Sequence, residues 1–256
     1  MNMTTFLAFL RRDLHVARRN FIPLLLQTLL QPMLLVFVFG RVLTSSGFLP
    51  VQYKSVLLPG VIALSMIFCG VQAVAMPLIS EFQFTKEIED RLLAPISVGW
   101  FAVEKITAGM IQALVAGLVV LPSARLLLWH GTQISYARPW LFAALALEVA
   151  FLASAMGLAL GSTVGATQIG LMFTLVLAPM LFFGCTYYPW SALAGFPILQ
   201  KLVLINPMVY ASEGLRGALA PQIPHLPLRF VLPILLGFDA LFLWLGSRQF
   251  RGKAQD

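Results

Sequence analysis

The chain alternates long apolar runs with short polar breaks. Asn20–Gly40, Ser55–Ser80 and Ile106–Ala124 hold no charged residue. A helix needs about 20 apolar residues to cross the hydrocarbon core of a bilayer. The pattern predicts six spans, near 21–43, 55–80, 100–127, 139–162, 169–187 and 228–247. Transmembrane strands would alternate polar and apolar positions over about ten residues. These runs do not alternate, so the expected fold class is an all-α integral membrane protein, a single transmembrane domain over residues 1–256. Pro23 and Pro32 are expected to kink the first span.

Three stretches break the pattern. Residues 4–20 place Phe6, Leu10, Leu14 and Ala17 on one helical face and Arg11, His15, Arg18 and Arg19 on another, with Arg12 beside them. Arginines opposite an apolar stripe predict a helix lying in the membrane interface. A signal peptide fits poorly, because the apolar run that follows is too long and carries no A-x-A site. Between the second and third spans lies a charged island. Its eleven residues Glu81–Arg91 carry six charges: Glu81, Lys86, Glu87, Glu89, Asp90 and Arg91. Phe84, Ile88 and Leu92 recur every fourth residue, which stacks them on one side of a helix that Pro95 ends or bends. Two readings stand: an amphipathic helix that touches a partner, or a solvated loop that turns the chain. The third stretch is 188–227. Ala192–Ile205 is apolar, broken by Gly195 and Pro197, and too short to cross; Pro221, Pro224 and Pro227 follow. Such segments read as interfacial or re-entrant helices.

Composition agrees with a membrane location. The 256 residues are 59% hydrophobic and 11% charged, against about 25% charged in a soluble domain. The formal net charge of +7 is assigned to orientation and anionic lipid rather than nucleic acid. With six spans, ten of the 17 Lys and Arg residues fall on the side of the N-terminal segment, the island and the tail. That bias predicts a multi-pass protein with both termini cytoplasmic. Cys69 and Cys185 lie in apolar surroundings and read as small buried hydrophobes rather than a disulfide.

Chemistry carried by the chain itself is excluded motif by motif. Gly246–Lys253 has five residues between its glycines and Ala254 after the lysine, so it is not a phosphate-binding loop. No H-E-x-x-H and no G-x-S-x-G occurs, and the histidines are scattered, so no metal site and no catalytic residue is expected. Gly157, Gly161 and Gly165 repeat every fourth residue and predict a close helix contact in lipid. Glu148 and Asp239 sit inside predicted spans, where a carboxylate is costly. They either pack helices as hydrogen-bonded acids or serve ion-coupled transport.

Two motifs, with the basic amphipathic N-terminal helix and the six spans, carry a family resemblance. One runs from Glu81 through Glu87, Ile88, Glu89, Arg91, Leu92 and Pro95 to Ile96; the other is Asn206, Pro207, Tyr210, Glu213 and Arg216. Together they resemble the ABC-2 type transporter permeases, most nearly the branch exporting drugs, lipo-oligosaccharides and polysaccharides. The resemblance covers nearly the whole chain. It implies that 81–97 is a coupling helix inserting into a separate ATP-hydrolysing subunit, and that 4–20 is an interface helix beside it. It implies that 188–227 forms re-entrant extracellular helices closing the outer end of the pathway. Two permeases, expected as a homodimer, and two ATPase subunits would form the working unit. The resemblance also implies a bacterial-type cytoplasmic (inner) membrane. ATP and Mg would belong to the partner, and no cofactor to this chain. The alternative from another class is an ion-gradient-driven carrier using Glu148 and Asp239; a membrane-bound assembly factor is a third.

Overall fold

A computed structural model describes residues 3–19, 21–83, 98–128, 134–135 and 137–253. The chain forms α1 (Met3–Arg19), then α2 (Phe21–Leu35), which runs on as a π-helix (Val36–Val42) and a last turn (Leu43–Ser45). The helices α3 (Tyr53–Gln83), α4 (Val98–Leu128) and α5 (Pro139–Thr163) follow. The next, α6, starts at Ile169–Leu171, passes into a π-helix (Met172–Leu177) and closes at Ala178–Phe182. A short α7 (Pro197–Leu202) lies between two 3-10 turns and leads to α8 (Pro207–Leu219) and α9 (Leu228–Lys253). The all-helical class expected from the sequence holds among the described residues. Among the described residues, four helices are long and apolar enough to cross a membrane: Tyr53–Gln83, Gly99–Leu128, Pro139–Thr163 and Leu228–Gly252.

The stretches expected as the first and fifth spans are helical but interrupted. Pro32 lies inside α2 and gives up one backbone hydrogen bond, and the helix widens to π geometry from Val36. The widened turn of α6 likewise precedes Pro179. Among the described residues their apolar helical pieces run Leu30–Ser45 and Ile169–Phe182.

The centre of the bundle is α3, enclosed by α4, α5 and α8, with α9 packed on the far side of α5. Lipid is as apolar as leucine, so close packing rather than transfer from water holds such helices together. Gly157 and Gly161 supply it on α5. A methyl group at Gly161 would stand 2.8 Å from Ala75 Cα, and one at Gly157 2.9 Å from the Val71 carbonyl oxygen. Only glycine lets the α3 and α5 backbones approach so closely. Gly165 lies past this contact, where a methyl would meet only side-chain atoms of Gln83 and Gln168 at 3.7 Å or more.

Three contacts fix the direction of the helices. Lys54 at the start of α3 donates to the Leu128 carbonyl at the end of α4 (3.2 Å). Gln83 at the end of α3 donates to Val164 just past α5 (3.4 Å). Phe101 near the start of α4 stacks on Phe250 near the end of α9. One end of the bundle therefore gathers α1, the stems of segment 84–97 and the C-terminal part of α9; we refer to it as the terminal end. The opposite, loop end gathers α7, α8 and the connections around them.

Candidate functional site

The loop end is organised around α8. Asn206 caps it: its side-chain oxygen accepts from the Met208 amide (2.9 Å), and Pro207 occupies the first turn, where no amide is needed. The Asn206 side-chain amide donates to the Met180 carbonyl of α6 (3.0 Å). Tyr210 donates its hydroxyl to the Leu204 carbonyl (2.9 Å), closing the turn that enters the helix. Every residue of Pro207–Leu219 is buried. At 13 residues the helix is roughly 20 Å long, too short to cross about 30 Å of hydrocarbon.

Glu213 and Arg216, one turn apart and both fully buried, form an ion pair inside this helix layer. The Glu213 carboxylate also accepts from the backbone amides of Trp190 (2.9 Å) and Leu226 (2.8 Å). The Arg216 guanidinium donates to the carbonyls of Cys185 (2.8 Å) and Val56 (3.4 Å). One acid and one base thus fasten the segments before and after α8 to each other and to the start of α3. Burial pulls the Arg216 pKa below its ordinary value, and the Glu213 charge pulls it back up. Nearby, Tyr53 donates to the Tyr187 carbonyl (2.7 Å). Gly60 of α3 lets the 185–187 turn lie against it, since a methyl there would fall 2.0 Å from the Thr186 carbonyl oxygen.

A second polar cluster sits at the terminal end. Lys105, in the second turn of α4, is 2% exposed. Its ammonium contacts Asp13 Oδ2 of α1 at 2.5 Å and Glu81 Oε1 of α3 at 2.9 Å. Asp13 was missed by reading α1 as apolar against basic. It shares the packed face with Phe6, Leu10, Leu14 and Ala17, while Arg11, Arg12, Arg18 and Arg19 are exposed. A lone acid three residues after Leu10 on the inward face was the available signal. Glu81 is buried near the end of α3; the other residues expected in the coupling helix, Phe84, Glu87, Ile88, Glu89, Arg91, Leu92 and Pro95, lie outside the described residues.

Between the two ends, Glu148 of α5 and Asp239 of α9 lie within interaction range of each other. Both Asp239 oxygens and Oε1 of Glu148 are buried without a hydrogen-bond partner. Two carboxylates are both acceptors, so they bind each other only when one carries a proton. On another side of the bundle, α2 and α6 border a cleft of about 570 Å³ lined by Leu30, Leu34, Phe39, Leu181 and Phe182, with Gln31 as its amide. A hollow of about 210 Å³ adjoins it and adds the buried Gln72. Cys69 and Cys185 are free and buried, and no cluster able to hold a metal occurs among the described residues.

The family described as ABC-2 type transporter covers residues 4–220 of this chain, from the first turns of α1 to the end of α8. No curated protein matches the chain.

Proposed function

Because the chain belongs to the ABC-2 type transporter family, we propose that it is the membrane permease subunit of an ATP-driven exporter. It holds no nucleotide-binding motif of its own, so the energy comes from a separate ATPase subunit, two copies of which serve two permeases. ATP binding draws the ATPases together, and segment 81–97 carries the movement into α3 and α4. The unit lies in a bacterial-type cytoplasmic membrane with six spans and both termini cytoplasmic. The first and fifth spans are the interrupted helices α2 and α6. The outer end of the pathway is held by α8 and the segments around it, through Asn206, Pro207, Tyr210, Glu213 and Arg216.

One observation carries the reading. The charged stretch 84–97, too polar for the bilayer, connects the adjacent ends of two long apolar helices, on the same side as the amphipathic α1. That arrangement offers a soluble partner a handle on the bundle. The α2–α6 cleft, apolar but for two glutamine amides and Tyr187, suits a substrate with a large apolar part, such as a drug-like amphiphile or a lipid-linked glycan. The test is isolation of the chain in mild detergent, followed by identification of what comes with it. An ATPase in near-equal amount is expected, with ATP turnover that changes when the permease is bound. Isolation of the chain alone, with proton-dependent and ATP-independent transport, would replace this reading with the gradient-driven carrier.

A further inference from the structure

The Lys105 cluster joins more of the molecule than an ion pair needs to. Its ammonium reaches α1 through Asp13 and α3 through Glu81. The Phe101 ring, one turn earlier on α4, lies 5.2 Å from Nζ. Phe101 stacks on Phe250 of α9 (5.5 Å between centroids), and Phe82 of α3 meets Phe250 edge-on at the same separation. So α1, α3, α4 and α9 converge on one side chain and the ring beneath it. Two of the four, α3 and α4, are the stems from which 84–97 hangs. Elsewhere α1 touches α4 through Phe6 against Trp100, an edge-to-face pair at 5.9 Å.

The geometry of this cluster is that of a pivot. An ammonium has three donors on a flexible stem and no fixed plane. It can swing between two carboxylates while keeping one of them. The stem lies against an aromatic face, which attracts the cation without fixing its direction. Asp13 is 17% exposed and Glu81 9%, so the α1 side of the cluster is the more open.

We propose that Lys105 is a positioning residue that ties the interface helix α1 to both stems of segment 84–97, so that displacement of that segment moves α1. This rests on 84–97 being the ATPase-docking segment. The consequence is that α1 takes part in each ATP cycle.

The test uses the permease–ATPase complex in lipid nanodiscs, with Cys69 and Cys185 replaced and cysteines introduced as Phe6→Cys and Trp100→Cys. A short bifunctional thiol reagent reads the α1–α4 separation with and without ATP and Mg. The parent is expected to give a cross-link yield that changes on ATP addition. Lys105→Met should keep the ATPase bound, lower the yield about tenfold, as loss of a charge-assisted bond allows, and abolish its response to ATP. Lys105→Met removes the ammonium that faces Asp13 and Glu81 and can fail to fold. The triple neutral variant Lys105→Met, Asp13→Asn, Glu81→Gln avoids that. It should fold and bind the ATPase, yet lack the ATP response of the cross-link. If the triple variant responds to ATP as the parent does, the cluster only balances charge and the proposal is overturned. If the parent brings down no ATPase, the reading of 84–97 fails first, and the proposal falls with it.

Discussion

Both ends of the bundle are held by buried charges, but the two arrangements differ in kind. At the loop end the pair sits within one helix, and its other partners are backbone groups: the amides of Trp190 and Leu226 and the carbonyls of Cys185 and Val56. Backbone groups cannot rotate away, so any shift of α8 against its neighbours breaks several buried bonds at once. At the terminal end the partners are three side chains from three helices, and one ammonium serves two carboxylates. Side chains can exchange partners as helices slide. The difference teaches where a conformational change is cheap: α8 moves as a block with what it holds, while α1, α3 and α4 can shift against one another.

The largest effect is expected at Glu213. Removing its carboxylate leaves the fully buried Arg216 without a counter-charge and two buried amides without an acceptor. Breaking such a pair costs about 3–5 kcal/mol. Glu213→Ala is therefore expected to lower the Tm of the purified protein by many degrees, seen by scanning fluorescence in detergent. The double variant Glu213→Ala, Arg216→Ala should lose less than the sum of the singles, because it strands no charge. Strict additivity would mean that the two residues do not act together.

The terminal end is sharpened at Ile88. A docked helix buries Phe84, Ile88 and Leu92, and an apolar side chain of that size is worth roughly 1.5–3 kcal/mol. Ile88→Asp should abolish co-purification of the ATPase, or leave its ATP turnover unresponsive to the permease, while membrane insertion stays normal. Ile88→Lys separates a protein groove from a lipid surface, since lysine snorkels at a membrane but fits a groove badly. Normal assembly and turnover of both variants would leave the segment a solvated loop.

The middle of the bundle gives a smaller effect with an internal control. Gly161→Val forces the α3 and α5 backbones apart, because even its first carbon would stand 2.8 Å from Ala75 Cα. Overpacking of this kind costs about 1–3 kcal/mol. Gly165→Ala, with only side-chain neighbours at 3.7 Å or more, should leave the Tm unchanged. Equal losses at both positions would show that the α3–α5 contact does not set the effect.

Local pattern made one layer of this legible and distance hid the next. The packed face of α1, the glycine ridge of α5 and the spacing of Glu213 to Arg216 follow from helical periodicity. The amides that complete the Glu213 site, Trp190 and Leu226, and the carbonyls of Cys185 and Val56 follow from no spacing, because tertiary packing alone brings them there. Lys105 counted only as one more basic residue, since its partners lie 92 and 24 residues away. The π segments were beyond reach for another reason. Pro32 marks where α2 is disturbed, but the way a helix absorbs a missing hydrogen bond depends on its neighbours.

Glu148 and Asp239 were two separate candidates in the sequence and are one pair in the fold. Two ionised carboxylates side by side in a low-dielectric interior repel strongly, whereas an acid and a carboxylate sharing a proton attract. An amide offers one donor and one acceptor in nearly the shape of the acid. Glu148→Gln and Asp239→Asn, alone or together, should therefore keep the α5–α9 contact, with little change in the Tm of the purified protein. ATP turnover of the reconstituted complex should be unaltered. A carrier that loads and unloads a proton at this pair could not survive the same changes, because an amide does not titrate. Loss of transport by Asp239→Asn at normal expression and unchanged Tm would make the pair part of the transport cycle rather than of the packing. Retained activity leaves the energy input at the terminal end, with the acids serving only to hold α9 against α5.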